Sequence, residues 1–523
     1  MPEKIRGVIP RKIKGFRDIT PAMNRRRWQV INAAARVYKA YGFEHWDTPV
    51  MEYAECIGKY VPDEESMNPS EREGIYTFVN PEQEPVFYND WTIAKDGEKT
   101  IMDRFPLVLR YDLTAPLARV YAESLWTEKL KGAVKTEKSP LFRRYQYGPL
   151  YRFEAKLDPG RYREFWQLDF DSVGTADITA DAEIPMILAD AMEAIGMKRG
   201  AYVIKANNRK IVQGFLHGLD IRDEAAAQNI LRIIDKLDKI GLDGVRGELG
   251  KGREDEFSKA FIPGLNLTAG TVGRIIEFFK SYTSAGLRSE TLASLRANAG
   301  GNELLQAGID ELAAIDAILV GSGFDETRVR FDPTLIRGMS YYTGPVFEVA
   351  SLQTYTDAKG NERNIGSIGG GGRYDGLVER LLGIKVPATG ASIGIDRLCE
   401  LLELLEQNDA PADGPVFICM FDSALMREYQ TIAAELRSAG IPAEVYYGMQ
   451  KGLNKQLAYA DKKGCSIAIL LGSDEAAKGI VSMKNLKLGR EIAADVTDKA
   501  EWTKRVQSEV RREDVVEAVR RIL

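Results

Sequence analysis

Histidine is nearly missing from this chain: His45 and His217 are the two in 523 residues, and they stand in unrelated contexts. That scarcity argues against a histidine-based acid–base mechanism or a histidine metal centre, and both side chains read as structural or surface residues. Cysteine is scarce as well. Cys56, Cys399, Cys419 and Cys465 are scattered without paired spacing, which argues against a disulfide framework or a zinc site and fits a reducing, cytoplasmic compartment. No apolar run approaches a membrane span, and the opening MPEKIRGVIPRKIKG lacks the apolar core of a signal peptide. A surplus of positive charge is also absent. With a net charge of −5 there is no global basic field, so any contact with nucleic acid must come from local patches.

What is present is ample for a large soluble globular protein. The length allows about three domains, and 44% hydrophobic with 28% charged residues is ordinary globular composition. The informative stretch is Leu141 to Asp171, which reads as two strands joined at Asp158-Pro159-Gly160. Tyr145, Tyr147, Tyr151 and Phe153 share one face of the first strand, with Arg152 and Glu154 on the other. On the second strand Tyr162, Trp166, Leu168 and Phe170 point one way, and Arg161, Arg163, Gln167, Asp169 and Asp171 the other. The hairpin thus has an aromatic face and a polar floor. Such a floor is commonly the solvated side of an antiparallel sheet. Here it carries guanidinium groups suited to phosphate and carboxylates suited to an amine or imidazole.

This hairpin resembles motif 2 of class II aminoacyl-tRNA synthetases, and FRRYQYGPLYRFE with GRYREFWQLDFD is similar to the version in the histidyl-tRNA synthetase family. Two further stretches sharpen the resemblance. Leu335 to Val349, LIRGMSYYTGPVFEV, resembles that family's histidine-binding signature, and Gly369 to Leu398, with GGGGRYDGLVERL and GASIGIDRL, resembles its motif 3. Three separated motifs in the right order are a specific signal. The resemblance implies an α+β catalytic core with an antiparallel sheet, a helical insertion domain and a C-terminal α/β anticodon-binding domain. It places the core at 1–196 and 330–408, the insertion at 197–329 and the anticodon-binding domain at 414–523.

In chain order, Thr20-Pro21 opens a helix to about Ala40, with Trp28, Ile31, Ala35 and Val37 to Tyr38 as its buried stripe. It resembles motif 1, which implies a homodimer. Between Glu52 and Asp103 the sequence is polar and turn-rich, and pieces such as Ile75 to Val79 and Pro85 to Tyr88 predict short strands among long loops. Leu107 to Tyr111 is a buried strand, and Thr114 with Pro116 starts a helix. From Met197 to Val329 the character is charged and helix-forming, with no catalytic constellation. Gly369 to Gly372 alone would pass for a flexible turn. Near 407–414 NDAPADG reads as a linker. Alternating strands and helices follow, including strands at Ile480 to Lys484 and Glu491 to Ala494, and predict a mostly parallel sheet. GLNKQLAYADKKGCSIAILLG there resembles the family's anticodon-binding domain. Lys451, Lys455, Lys462, Lys463, Lys484 and Lys487 are candidates for tRNA backbone contacts, although scattered lysines also serve solubility.

Carried over residue by residue, the resemblance implies ATP-dependent activation of histidine and its transfer to tRNA(His). Arg337 and Arg152 flank the α-phosphate and are the catalytic candidates. ATP is assigned to Arg152, Glu154, Arg161 and Arg397, with magnesium bridging its phosphates and no metal ligand from the protein. Asp112, Thr114 and Gln167 hold the ammonium and carboxylate of histidine. Asp171 with Tyr342 reads the imidazole, Tyr341 helps to wall it, and Tyr374 stands at the pocket edge. By propensity alone, Asp112 is a helix cap. Two positions depart from the family pattern: Ser340 replaces the usual Asp, and Leu157-Asp158-Pro159 replaces basic residues in the hairpin turn. The rival function is a non-catalytic regulator or histidine/tRNA sensor built on the same core. Such proteins lack the anticodon-binding domain or the ATP arginines, whereas this chain has both signatures.

Overall fold

Thr20-Pro21 does start a helix, and that helix walls one side of the core. The computed structural model describes residues 10–53, 56, 75–78, 107–130, 139–153, 157, 160–234, 236–254, 259–281, 286–336, 342–356, 360, 362–405, 414–448, 452–492 and 498–523. In it Pro21–Ala40 is helical and the Thr20 hydroxyl accepts from the Met23 N–H at 3.3 Å. Ile31, Ala34, Ala35 and Tyr38 are buried. Trp28, assigned to that stripe by its spacing, is 39% exposed. It meets Tyr147 and Trp166 edge-on, since a ring this large can cover neighbours while keeping one edge in water.

The first compact unit is Met1–Leu405, built on an eight-stranded sheet. Its strands lie in the order Glu44–His45, Phe142–Tyr151, Glu164–Val173, Ala388–Gly394, Ser367–Arg373, Pro345–Ser351, Tyr202–Asn208 and Val329–Phe331. The two outermost pairings are parallel; the five inner ones are antiparallel. Tyr145, Leu168 and Phe170 face the helices Pro21–Ala40 and Ile178–Ile195 in one continuous apolar core. This is the aromatic face expected of the hairpin. Tyr162 departs from it: the second strand begins at Glu164, so the alternation does not extend back to Tyr162, which turns toward the opposite, polar side.

The stretch 197–329 lies within this unit. Four helices, Glu224–Ile234, Leu237–Leu249, Ala269–Ser281 and Arg288–Ala297, match its helical character. Its ends differ from that reading. Tyr202–Asn208 is an inner strand of the sheet, every one of its residues but Lys205 buried, and Glu303–Gly321 packs on the helices Ile178–Ile195 and Arg209–His217. The glycine run is likewise ordered: Gly369 to Gly372 sit inside the strand Ser367–Arg373, paired on both sides. Of the 52–103 region, Met51–Tyr53 and Thr77–Phe78 flank Leu107–Leu109 in a small antiparallel sheet; Pro85 to Tyr88 lie outside the described residues.

The second unit, Glu406–Leu523, has five strands in the order Ala443–Val445, Val416–Ile418, Ile467–Leu470, Ile480–Asn485 and Gln507–Arg511. Two pairings are parallel and two antiparallel. The sheet is therefore mixed rather than mostly parallel. The strand expected at Glu491 to Ala494 is not seen where it is described: Glu491 ends the helix Leu486–Glu491, which Asn485 caps through the Leu488 N–H. The last strand is Gln507–Arg511 instead. Ile418, Ile432, Leu436, Ile467 and Ile469 fill one side of this sheet, and Phe417, Cys419, Cys465 and Ala468 the other. Among the described residues no helix is long and apolar enough to cross a membrane.

Candidate active site

Period-two alternation puts Gln167, Asp169 and Asp171 on one face of their strand, and pairing supplies their neighbours. Arg144 lies opposite Asp171, Gln146 opposite Asp169 and Gly148 opposite Gln167. On the other side stand Gly390, Ser392 and Gly394 in the same rows. Glycine is required in this floor because side chains lie flat across it. A Cβ at Gly390 would land on the Asp171 carboxylate, and one at Gly372 would come within 2.8 Å of the Tyr342 ring.

Above this floor is a cavity of about 560 Å³. Of the residues expected there, Asp112, Thr114, Arg152, Arg161, Gln167, Tyr342 and Arg397 line it. Asp171 and Tyr374 do not; they lie beneath. Tyr374 is 3% exposed and its hydroxyl donates to Asp171 Oδ1, while the buried Arg144 guanidinium stands 3.2 Å from Asp171 Oδ2 and donates to the Leu113 carbonyl at 2.6 Å. Arg337, Tyr341 and Glu154 lie outside the described residues, as do Ser340 and the turn residues Asp158 and Pro159.

One end of the cavity is anionic and aromatic. Asp112 accepts from the N–H groups of Thr114 and Ala115 at 3.1 and 2.9 Å, so it caps the helix Thr114–Leu130 and faces the cavity as well; the two roles anticipated for it coexist. Asp169 lines the same end. Burial first, and the Asp171 carboxylate next, push its pKa up to about 7. Burial also raises Asp171. The Tyr342 hydroxyl is raised by burial and then by Asp171, Asp169 and Asp112, which places all three carboxylates within electrostatic reach of that ring. Asp169 was visible as a member of the polar floor but was not singled out; its place midway between Gln167 and Asp171 on one strand face was the available signal.

The other end carries guanidinium groups. Arg152 Nε donates to the Tyr111 carbonyl at 3.0 Å, and its guanidinium lies 4.2 Å from the Tyr111 ring centre. Arg397 sits in the first turn of the helix Ile395–Leu405, where the helix dipole disfavours a cation. It reaches out to donate to the Ser367 carbonyl at 2.7 Å. Gly160, at φ +72°, brings the hairpin turn close enough that a Cβ there would stand 3.2 Å from Arg397 Cα. Asp396 also lines this end, and the sequence reading missed it. Among the described residues no group of three His, Cys, Asp or Glu side chains is placed to hold a metal ion.

The eight-stranded sheet, with this bipolar cavity over its polar face, is the catalytic domain of a class II aminoacyl-tRNA synthetase. Residues 104–398 match the family model described as histidyl-tRNA synthetase, and 415–522 match an anticodon binding domain. The histidine–tRNA ligase of Ruegeria pomeroyi is 43% identical over 98% of this chain and 96% of its own length. That of Paracoccus denitrificans is 43% identical over 98% and 97%. The crystal structure of histidyl-tRNA synthetase from Nostoc sp. PCC 7120 has a TM-score of 0.69 at 27% identity, covering 99% of this chain and all of the other. The chain belongs to the histidyl-tRNA synthetase family, enzymes of the ligase class.

Proposed function

We propose that the cavity activates histidine with ATP and that the product is transferred to tRNA(His). A histidine carboxylate oxygen attacks the α-phosphorus, the bond to pyrophosphate breaks, and histidyl-adenylate forms. A terminal ribose hydroxyl of the tRNA then attacks the acyl carbon, and AMP leaves. Such phosphoryl transfer needs position and positive charge more than a proton-transfer residue, in keeping with a cavity whose lining holds no histidine. In this reading Asp112, Thr114 and Gln167 hold the ammonium and carboxylate, and Tyr342 with Asp169 meets the imidazole. Asp171, tied to Arg144 and Tyr374, fixes the floor behind them. Arg152 and Arg337 flank the α-phosphate, Arg161 and Glu154 complete the nucleotide site, and Arg397 takes the γ-phosphate. Tyr341 is assigned to the imidazole wall. Magnesium enters with the nucleotide as part of the substrate.

The observation that supports this most is that Asp112, Asp169 and Tyr342 share one cavity with Arg152 and Arg397, which suits a ligand cationic at one end and polyanionic at the other. The test is exchange of labelled pyrophosphate into ATP with each amino acid in turn. We expect exchange with histidine alone, reduced on the order of 10²–10³-fold in Arg337→Ala. Histidine binding by calorimetry without any exchange would overturn the enzyme reading in favour of a regulator.

The helical part of 197–329 is assigned to the acceptor arm, and the second unit to the anticodon. Lys484 lies 4.8 Å from the Trp502 ring centre and Lys463 pairs with Glu444, so these two lysines have partners within their own unit. A cytoplasmic homodimer is the proposed assembly. Trp46, Met51 and Tyr53, 43–51% exposed, supply apolar surface near the edge strand Glu44–His45, and the mass in solution by light scattering tests it.

A further inference from the structure

The geometry points to Arg17, in the segment ahead of the first helix, as a positioning residue for the nucleotide end of the cavity. Among the described residues lining that cavity, Arg152, Arg161 and Arg397 stand with Asp112, Asp169 and Asp396. Asp396 is the carboxylate at the Arg397 end, so what stands behind it governs how strongly that end attracts a polyanion. Asp396 is 7% exposed. Its Oδ2 accepts from the Trp166 backbone N–H at 2.5 Å, and its Oδ1 accepts from Arg17 at 2.6 Å and from Arg27 at 3.2 Å. Two guanidinium groups therefore face the one Asp396 carboxylate and more than offset its charge. Without them an anion beside Arg397 would cancel its charge and repel phosphate across a poorly screened distance.

The two cations are held differently. Arg27 belongs to the helix Pro21–Ala40, is 8% exposed, and lies 4.6 Å from the Trp166 ring centre. Arg17 comes from a segment draped over the hairpin. Gly15, at φ +87°, presents its carbonyl to the Arg163 N–H at 3.0 Å; a side chain there would strike Arg163 within 2.6–2.9 Å. Phe16 packs on Tyr151 and Tyr76. These contacts deliver the Arg17 guanidinium to 3.2 Å above the ring centre of Tyr162, whose hydroxyl donates to Glu400 at 3.1 Å. Tyr162 lines the cavity; Arg17 does not. Arg17 thus acts through Asp396 and Tyr162, neutralising one and fixing the ring of the other where the triphosphate end is assigned.

This inference rests on the proposal that Arg397 marks the phosphate end. The experiment measures KM for ATP, KM for histidine and kcat in pyrophosphate exchange, with full-length wild type, Arg17→Ala, Arg17→Lys and Arg397→Ala. In Arg17→Ala, KM for ATP should rise about tenfold while KM for histidine stays within about twofold, and Arg17→Lys should recover part of the loss because it restores the charge without the planar stacking on Tyr162. An unchanged KM for ATP in Arg17→Ala, both KM values rising together, or a lysine variant no better than alanine would overturn it. If Arg17→Ala does not fold, Arg17→Gln is read by the same criteria. An Arg397→Ala enzyme with normal KM for ATP would instead remove the parent reading, whereas a normal Arg17→Ala beside an impaired Arg397→Ala sinks the positioning role alone.

Discussion

The two sheets of this molecule bury opposite kinds of side chain. In the second unit both faces are apolar: Phe417, Cys419, Ile467, Ala468, Ile469 and Val481 are all fully buried. The buried Gln456 there is satisfied by the backbone of Met420 on both its amide groups. In the first unit one face is equally apolar, but the other takes Arg144, Asp169 and Asp171 out of water at 1–3% exposure, and Asp169 Oδ1 has no hydrogen-bond partner among the described residues. Desolvating charges that way costs stability rather than adding it. In the function proposed above, the apolar sheet is the scaffold of a tRNA-binding surface, and the buried charges of the floor are offset by the bound ligand.

The contrast predicts that the two sheets fail differently. The largest effect belongs to the apolar one: Ile469→Ala should destabilise the second unit by about 2–5 kcal/mol, measured by denaturant unfolding, yet leave histidine-dependent pyrophosphate exchange near wild type. Exchange falling in step with stability would break the division. In the charged floor, Gly390→Ala drives a methyl group onto the Asp171 carboxylate. Exchange should fall on the order of a hundredfold with the helical circular dichroism unchanged. A normal rate in that variant would mean that the Asp171 layer does not support the site.

Most of the fold was legible because its signals are local. Thr20-Pro21, the alternation through the hairpin and the strand–helix order from Val416 to Leu471 each follow from spacing within a dozen residues. Spacing and the resemblance also named residues that the fold brings to one cavity, Asp112, Thr114, Arg152, Arg161, Gln167, Tyr342 and Arg397; their roles are the proposal made above. What spacing could not show was which sheet neighbour each strand takes. Tyr202–Asn208 lies amid helix-forming sequence and joins the core through partners more than a hundred residues away. The same blindness separated Asp171 from Asp169. Both share a face, but only the rows across the sheet reveal that Arg144 and Tyr374 occupy the former and leave the latter at the cavity wall. Asp396 escaped notice because its partners Arg17 and Arg27 are almost four hundred residues away.

The smallest effect sharpens the electrostatic half of the contrast. Asp169 is raised from its ordinary range to about 7, so in the ligand-free enzyme the folded state binds a proton that the unfolded chain releases near pH 4. Between about pH 4 and 7 the folded state therefore holds more protons, and stability must fall as pH rises through that window, in total by on the order of a few kcal/mol. Asp169→Asn keeps the shape and removes the titration. Compared at pH 5 and pH 8 without ligands, the wild type should lose more of its melting temperature than the variant does. Equal losses would show that Asp169 is already ionised at pH 5, satisfied by Arg144 alone, and the charged floor would then be a settled ion-pair network rather than a site held ready for a cation.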